Sequence, residues 1–474
     1  MQLKYNLNPA SDRTRSAQTL DPRSDMKRLG NHNKDSTQRC HSLPESISCT
    51  VQVRSPAVSS YKSIRQQLTV ATCSLLTAIP VLAIDTSPLD ISLSSMIYSE
   101  DGRVLVNEDV IEVQKEIDDD EFVTVRYIFD VMTGPSHNGL PKLDTPQTLT
   151  SPSGSTVTSK TSEEPTFAFR DTRHALNLEW EKPITRLLST TNAVSISGEY
   201  DYLSAGGSSS WNYDINDRLT TLTAGVAANY DLITPVGGTP LGLGSSDSEK
   251  NLGDQKKGEL DALIGITQVI DRKTLLQANY SIGYSKGYLT DPYKLVAYLN
   301  NVDLVPVSDN PYFYEKRPNT RLTHAFYLQL IRDFDDDVLR AAYRYFIDDW
   351  QIKSHTYELK YSFSLLHENE LQFHYRYYTQ TAADFYHYFL INDARAGVNN
   401  HDVVTELSQL EYASADHRLG NLKSETIGVK YSQRFVSKQS KLDLRLDRMI
   451  QQDQKGKFND LKAWIAQIVF KFIY

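Results

Sequence analysis

The stretch AWIAQIVFKFIY, residues 463–474, decides the fold. One register holds Trp464, Ala466, Ile468, Phe470, Phe472 and Tyr474, while the other carries Gln467 and Lys471. That is a period of two, in which successive side chains take opposite faces of a strand. Working outward, the pattern recurs. Leu442, Leu444 and Leu446 alternate with Asp443, Arg445 and Asp447; Leu371, Phe373, Tyr375 and Tyr377 alternate with Gln372, His374, Arg376 and Tyr378. Leu339, Ala341, Tyr343, Tyr345 and Ile347 alternate with Arg340, Ala342, Arg344, Phe346 and Asp348. A helical period would scramble these faces.

Read backward from Tyr474, the alternation predicts strands near 460–474, 440–450, 420–436, 370–380, 352–365, 337–349, 319–333, 273–285, 256–270, 218–231, 209–216, 191–204, 171–182, 121–131, 103–114 and 88–99. The class is all-β. Amphipathic strands in this number satisfy every backbone N–H and C=O in lipid only when the sheet has no edge. A transmembrane antiparallel β-barrel of about 16 strands is therefore expected, with 14 or 18 as alternatives because 209–216 and the first two strands carry the weakest pattern. The closing strand with its aromatic end resembles the C-terminal assembly signal of bacterial outer-membrane barrels. Tight connections at 271–273, 334–337, 366–369 and 437–440 fall on one side, and the long ones at 132–170, 232–255, 286–318 and 381–419 on the other. Short periplasmic turns and long external loops are the asymmetry expected of such barrels.

Composition agrees. The 474 residues have a mean hydropathy of -0.44, too polar for several helical spans, and 28 Tyr against 16 Phe and 4 Trp, rings that suit wet interfaces better than dry cores. Residues 63–83, SIRQQLTVATCSLLTAIPVLA, combine a basic start (Lys62, Arg65), an apolar run too short to span a bilayer and a small residue at Ala83, which reads as a cleaved signal peptide. Residues 1–62 read as a disordered polar leader, or as sequence upstream of the true start; the barrel is expected over 84–474. Removing 1–83 takes away 11 Lys/Arg and 5 Asp/Glu and leaves 39 against 54, a formal charge of -15, with no cysteine remaining. Disulfides, thiolate metal sites and a cysteine nucleophile are thereby excluded, and acidity argues against a nucleic-acid partner.

The inward register is charged with both signs: Arg126, Asp130, Arg173, Glu179, Glu199, Asp201, Asp261, Arg321, Arg340, Arg344, Asp348, Glu358, Lys360, His374, Arg376, Lys430, Arg434, Asp443, Arg445 and Asp447. These form either pairing ladders across neighbouring strands or the lining of a solute path. Near the external strand ends, GEYDYLS (198–204), GYLTDPYK (287–294), YRYFIDDWQIKSH (343–355) and FHYRYYTQTAADFY (373–386) concentrate aromatic and polar residues. Asp291, Tyr293, Arg317, Asp349, Trp350, Asp384, Tyr386, Asp416 and Arg418 are the candidates for a network fixing the loops over the mouth. Asp348, Asp349, Asp384, Glu199 and Asp201 could alternatively offer oxygen ligands to a hard cation such as calcium, but no metal site or cofactor is assigned. No nucleophile with its base, paired-carboxylate site, P-loop, GxGxxG or haem-attachment motif is present, so no catalytic residue is assigned.

GYLTDPYK, RPNTR (317–321), YRYFIDDWQIKSHTYEL, RYYTQTAADFY and EYASADHRLG (411–420), taken in order, resemble a family of bacterial outer-membrane β-barrel proteins catalogued only as a domain of unknown function. The resemblance covers essentially the whole barrel. It implies a fold and an outer-membrane location but no activity. It also implies possible periplasmic redox partners, since members are often encoded beside a thioredoxin-like protein and a flavin transferase. The expected role is a non-enzymatic channel or transport-type barrel. The alternatives are a non-conducting scaffold for an envelope redox complex and, third, an outer-membrane hydrolase. Expected partners are outer-membrane lipid and the barrel-assembly machinery, engaged through the strand ending at Tyr474.

Overall fold

The computed structural model describes residues 88–143, 146–150, 156–163, 165–300, 311–335, 337–366, 369–392, 409–435, 439–455 and 458–474; the polar leader and the signal stretch lie outside them. Sixteen strands close into an antiparallel barrel: β1 Leu89–Glu100, β2 Leu105–Asp118, β3 Glu121–His137, β4 Thr166–Pro183, β5 Leu188–Gly198, β6 Tyr202–Ile215, β7 Thr220–Ile233, β8 Gln255–Asp271, β9 Thr274–Gly287, β10 Thr320–Asp333, β11 Asp337–Asp348, β12 Lys353–Leu366, β13 Asn369–Gln380, β14 Leu422–Phe435, β15 Ser440–Asp453 and β16 Leu461–Ile473. Each strand pairs with its sequence neighbours. The ring closes where Leu93 of β1 stands opposite Phe470 of β16, and Leu89 and Tyr474 exchange backbone hydrogen bonds of 3.0 and 2.9 Å.

The strands stand where the alternation places them, with one shift. The reversal expected after residue 204 lies instead at 199–201, and Gly206, Gly207 and Ser208, whose composition reads as a turn, are strand. Small residues serve packing there: a Cβ on Gly206 would sit 1.9 Å from the Asn229 amide oxygen lying over it.

Register sets the outer face. Ile111 stands opposite Tyr127, Tyr127 opposite Leu176, and Leu176 opposite Ile196, so one apolar row passes from strand to strand. Ile264 and Ile427 on this face are each 62% exposed, whereas Leu140, Val296, Leu299 and Leu390, all in the connections, are fully covered. The wall is thus apolar outside and, being closed, leaves no edge strand of its own unpaired, which is the construction of a transmembrane barrel. Trp180, Trp211, Tyr213 and Phe472 lie toward the short-turn end of this face; Tyr230, Tyr284 and Trp464 lie toward the other, as two aromatic belts. Between neighbouring strands Tyr127, Tyr280 and Tyr343 bond the Nδ1 atoms of His174, His324 and His355 at 2.7, 2.7 and 2.8 Å.

Most of the covered hydrophobic residues belong to the long-loop end. There Leu295–Asn300 pairs antiparallel with Tyr312–Tyr314 and parallel with Leu390–Asn392, so connections from different parts of the chain share one small sheet. Leu140, Leu143, Leu295, Leu299, Tyr312 and Tyr314 form one cluster beneath it; Trp350, Ile352, Phe385, Tyr386 and Leu419 form another. We call this ensemble the cap. The chain enters it at Gly287, whose φ of +127° and position over the Lys256 carbonyl, 2.2 Å from where a Cβ would be, admit only glycine. Gly287→Ala is expected to cost roughly 1–3 kcal/mol of local strain, read as faster amide exchange across 288–299 with the mid-barrel strands unchanged.

Candidate functional site

The cap holds a set of buried charges drawn from two connections. Asp291, Lys294, Glu315 and Arg317 come from the β9–β10 connection, Asp416 and Arg418 from β13–β14. Arg317 lies between Glu315, at 2.7 Å, and Asp416, at 2.8 Å; Arg418 reaches both Asp416 oxygens and Asp291, the last at 3.0 Å. Glu315 also accepts from the Asp291 amide at 2.7 Å and from the Ser414 hydroxyl, and Lys294 donates to the His137 carbonyl. Three cations thus balance three carboxylates in a set that is buried except at Arg418, whose side chain is 34% exposed, and such an arrangement is stable only when complete.

Of the residues expected at the mouth, Asp291, Arg317, Asp416 and Arg418 meet in this network. Tyr293 stands beside it and accepts from the Val236 amide at 3.0 Å. Trp350 and Tyr386 join the apolar cluster instead, with the Trp350 ring N–H donating to the Thr320 carbonyl, while Asp349 and Asp384 stay exposed. Lys294 and Glu315 are the members that sequence reasoning missed; an alternation argument has nothing to say about residues outside strands.

The five oxygen donors weighed for a hard cation are not brought together. Asp348 is held by Arg321 at 2.6 and 2.9 Å, and Glu199 and Asp201 lie in the tight 199–201 turn rather than on a lumen-facing strand. Asp201 there accepts from the Val236 amide at 3.3 Å, and Glu199 lies 3.9 Å from Arg173. Among the described residues no group of three His, Cys, Asp or Glu is placed to hold a metal.

Two histidines pack inside the cap, His137 against His417 with centroids 5.5 Å apart, and Phe458 edge-on to both. Burial holds His417 well below the ordinary imidazole value; Asp416 opposes this, and Lys294, His137 and Arg418 add to it. Burial would raise Asp416, but Arg418, Lys294 and Arg317 outweigh it and keep it well below the usual carboxylate range. Glu315 is pushed up by its burial, against Arg317. A lowered folded value contributes stability above the unfolded value that is lost as pH falls; the raised Glu315 works in the opposite sense. Between about pH 6.5 and the lowered value of His417, the wild-type cap should therefore lose more protection than a His417→Gln cap. The excess approaches tenfold per pH unit, the slope of one proton, in amide exchange at 295–299.

Inside the wall the inward positions follow from the register. Their balance of sign differs between the two halves of the ring. On β2–β8 they present Glu108, Glu112, Glu116, Asp130, Glu179, Asp214, Asp231, Glu259 and Asp261, against Arg126, Arg173 and Lys257. Those three are all engaged: Arg126 with Glu112 at 2.6 Å, Arg173 with Asp130, and Lys257 with Asp231 and Glu259 at 2.9 and 3.0 Å. On β10–β15 they present Arg321, Arg340, Arg344, Lys360, Arg376, Lys430, Arg434, Lys441 and Arg445 against seven carboxylates, Asp333, Asp348, Glu358, Glu370, Asp443, Asp447 and Asp453. Lys360 pairs with Glu358 at 2.9 Å and Arg445 with Asp447 at 2.5 Å; His374 bonds Glu358 at 2.9 Å. Among the described residues Glu179 and Asp261 have no cation partner, and Arg340, Arg344 and Arg376 no carboxylate. Arg126, Glu179, Asp261 and Arg344 are exposed though they point inward, so water reaches them from the lumen. Two recesses open on the walls: one of about 270 Å³ at Arg173, Tyr202, Asp231 and Lys257, and one of about 180 Å³ at Lys360, His374, Lys430 and Arg445.

Fold and lining together define a class, the transmembrane β-barrels with a polar, water-accessible interior. Within it, the chain belongs to the family described as "Protein of unknown function (DUF3570)", which matches residues 65–468. No curated protein matches. Among solved structures, the chain is similar to a BenF-like porin from Pseudomonas fluorescens Pf-5 (8% identity, 82% of this chain and 100% of that one, TM-score 0.39). It is similar also to OccK3 (OpdO) of Pseudomonas aeruginosa (9% identity, 82% and 96%, TM-score 0.38). A mutant of the ferric enterobactin receptor PfeA from Pseudomonas aeruginosa matches at 8% identity and a TM-score of 0.38; the chain covers 78% of itself and about half, 54%, of that receptor.

Proposed function

We propose that this protein is a non-enzymatic channel of the bacterial outer membrane, exported by the 63–83 segment, assembled through its last strand and passing small polar solutes through the barrel. One observation carries the reading: the lumen wall keeps unpaired, solvated charges, Glu179 and Asp261 on one side and Arg340, Arg344 and Arg376 on the other. A wall serving only to hold a scaffold together would neutralise such groups in pairs, because unpaired charge destabilises a packed interior and is tolerated where water flows. The inward lining of β5–β7 is built largely of small residues, Ser195, Ser197, Ser204, Ser208, Gly225 and Ala227, which take little of the lumen. Catalysis finds no support in the histidines: His174, His324 and His355 are bonded to tyrosines on the outer face.

The test is single-channel recording of the full chain, purified from the envelope of a Gram-negative host, in planar bilayers. Stable conductance steps are expected. Silence from a folded, heat-modifiable barrel would overturn the channel and turn the search to periplasmic redox partners.

A further inference from the structure

The channel reading says that solutes pass; the distribution of charge says which. In a closed ring of sixteen strands, strand n faces strand n + 8 across the lumen, so β2–β8 face β10–β16. The acidic and basic inward sets therefore oppose one another, and the potential falls from one wall to the other across the path. The two sets are also level. Glu112 lies six residues from the short-turn end of β2, and Arg344 and Arg376 each lie seven residues from the short-turn ends of β11 and β13. Because Glu179 and Asp261 have no cation partner and Arg340, Arg344 and Arg376 no carboxylate among the described residues, the field between the walls acts on whatever occupies the lumen.

We infer, on the basis of the channel reading, that the preferred solutes are zwitterions: small molecules bearing an ammonium and a carboxylate, as amino acids do. Such a solute turns its ammonium to the β2–β8 wall and its carboxylate to the arginines of β10–β13, and both ends find an opposite charge in one orientation. A cation or an anion gains at one wall and loses at the other. A neutral solute of equal size gains at neither. The lining thus discriminates by charge separation rather than by net charge.

The experiment is proteoliposome swelling with the full chain, comparing zwitterionic glutamine with arabinose, an uncharged solute of similar size. Glutamine is expected to enter severalfold faster than arabinose. Two triple variants then separate the walls: Arg340→Gln, Arg344→Gln, Arg376→Gln, and Glu112→Gln, Glu179→Gln, Asp261→Asn. Both should bring the glutamine-to-arabinose ratio down to that of size alone, while the reversal potential in a salt gradient moves toward cations in the first and toward anions in the second. Equal entry of the two solutes through a conducting wild-type barrel would overturn the inference and leave the channel standing; the wild-type ratio needs no variant to fold. Absence of conductance and of swelling with either solute would remove both.

Discussion

Asp416→Ala should loosen the cap more than any other single change considered for it. The side chain is 1% exposed and is held by Arg317 and Arg418 together; its loss leaves two guanidinium groups facing Glu315 and Asp291 alone, with Lys294 beside them. Removing one member of a buried ionic set costs about 3–5 kcal/mol, mostly the cost of the charge left behind. At tenfold per 1.4 kcal/mol, amide exchange at 295–299 and 390–391 should accelerate more than a hundredfold, while β6 and β7, which carry no partner of this set, keep their protection. Equal acceleration in both regions would mean that the network supports the barrel as a whole, and no change would mean that the set carries no net energy.

Leu359→Arg should be the most damaging change on the wall. Leu359 sits midway along β12 on the outer face, opposite Ala341 and Tyr375, and is 44% exposed to whatever surrounds the barrel. An arginine on the lipid face near the bilayer midplane costs roughly 2–4 kcal/mol. Ala342→Arg, one register step away and directly opposite Glu358 inside the lumen, is the control: the same charge there meets a carboxylate and water. The folded fraction on heat-modifiable gels and the urea midpoint should fall for Leu359→Arg and hold for Ala342→Arg. Reversed results would exchange the inner and outer faces.

How much of this was legible in sequence follows from where alternation operates. Residues such as Leu444 and Arg445 declare their faces because a strand leaves only two, and one apolar face is forced outward by lipid. The same rule gave the sixteen strands and the inward placement of Arg126, Arg340, Arg376 and Arg445. It misplaced the reversal near residue 204, because Gly206 and Gly207 satisfy turn chemistry equally well when they make room for a neighbouring side chain. The cap was legible only as a density of polar and aromatic residues: that Asp291 meets Arg418 is a contact across a sequence separation of 127, which no local pattern encodes. The opposition of the walls was hidden for a related reason, since it appears only when inward charges are sorted by strand number around a closed ring.

The cap is assembled from segments that only ring closure brings together: Lys142, between β3 and β4, donates to Asn459, between β15 and β16, and Lys316 pairs with Ala413. Its entropy of loop closure is met by the barrel beforehand. A chain arrested at the end of β13 lacks Asp416 and Arg418 altogether, leaving Lys294 and Arg317 with an incomplete set of counter-charges. The cap is thus the last part able to form, and its completion reports that the preceding strands have joined in order.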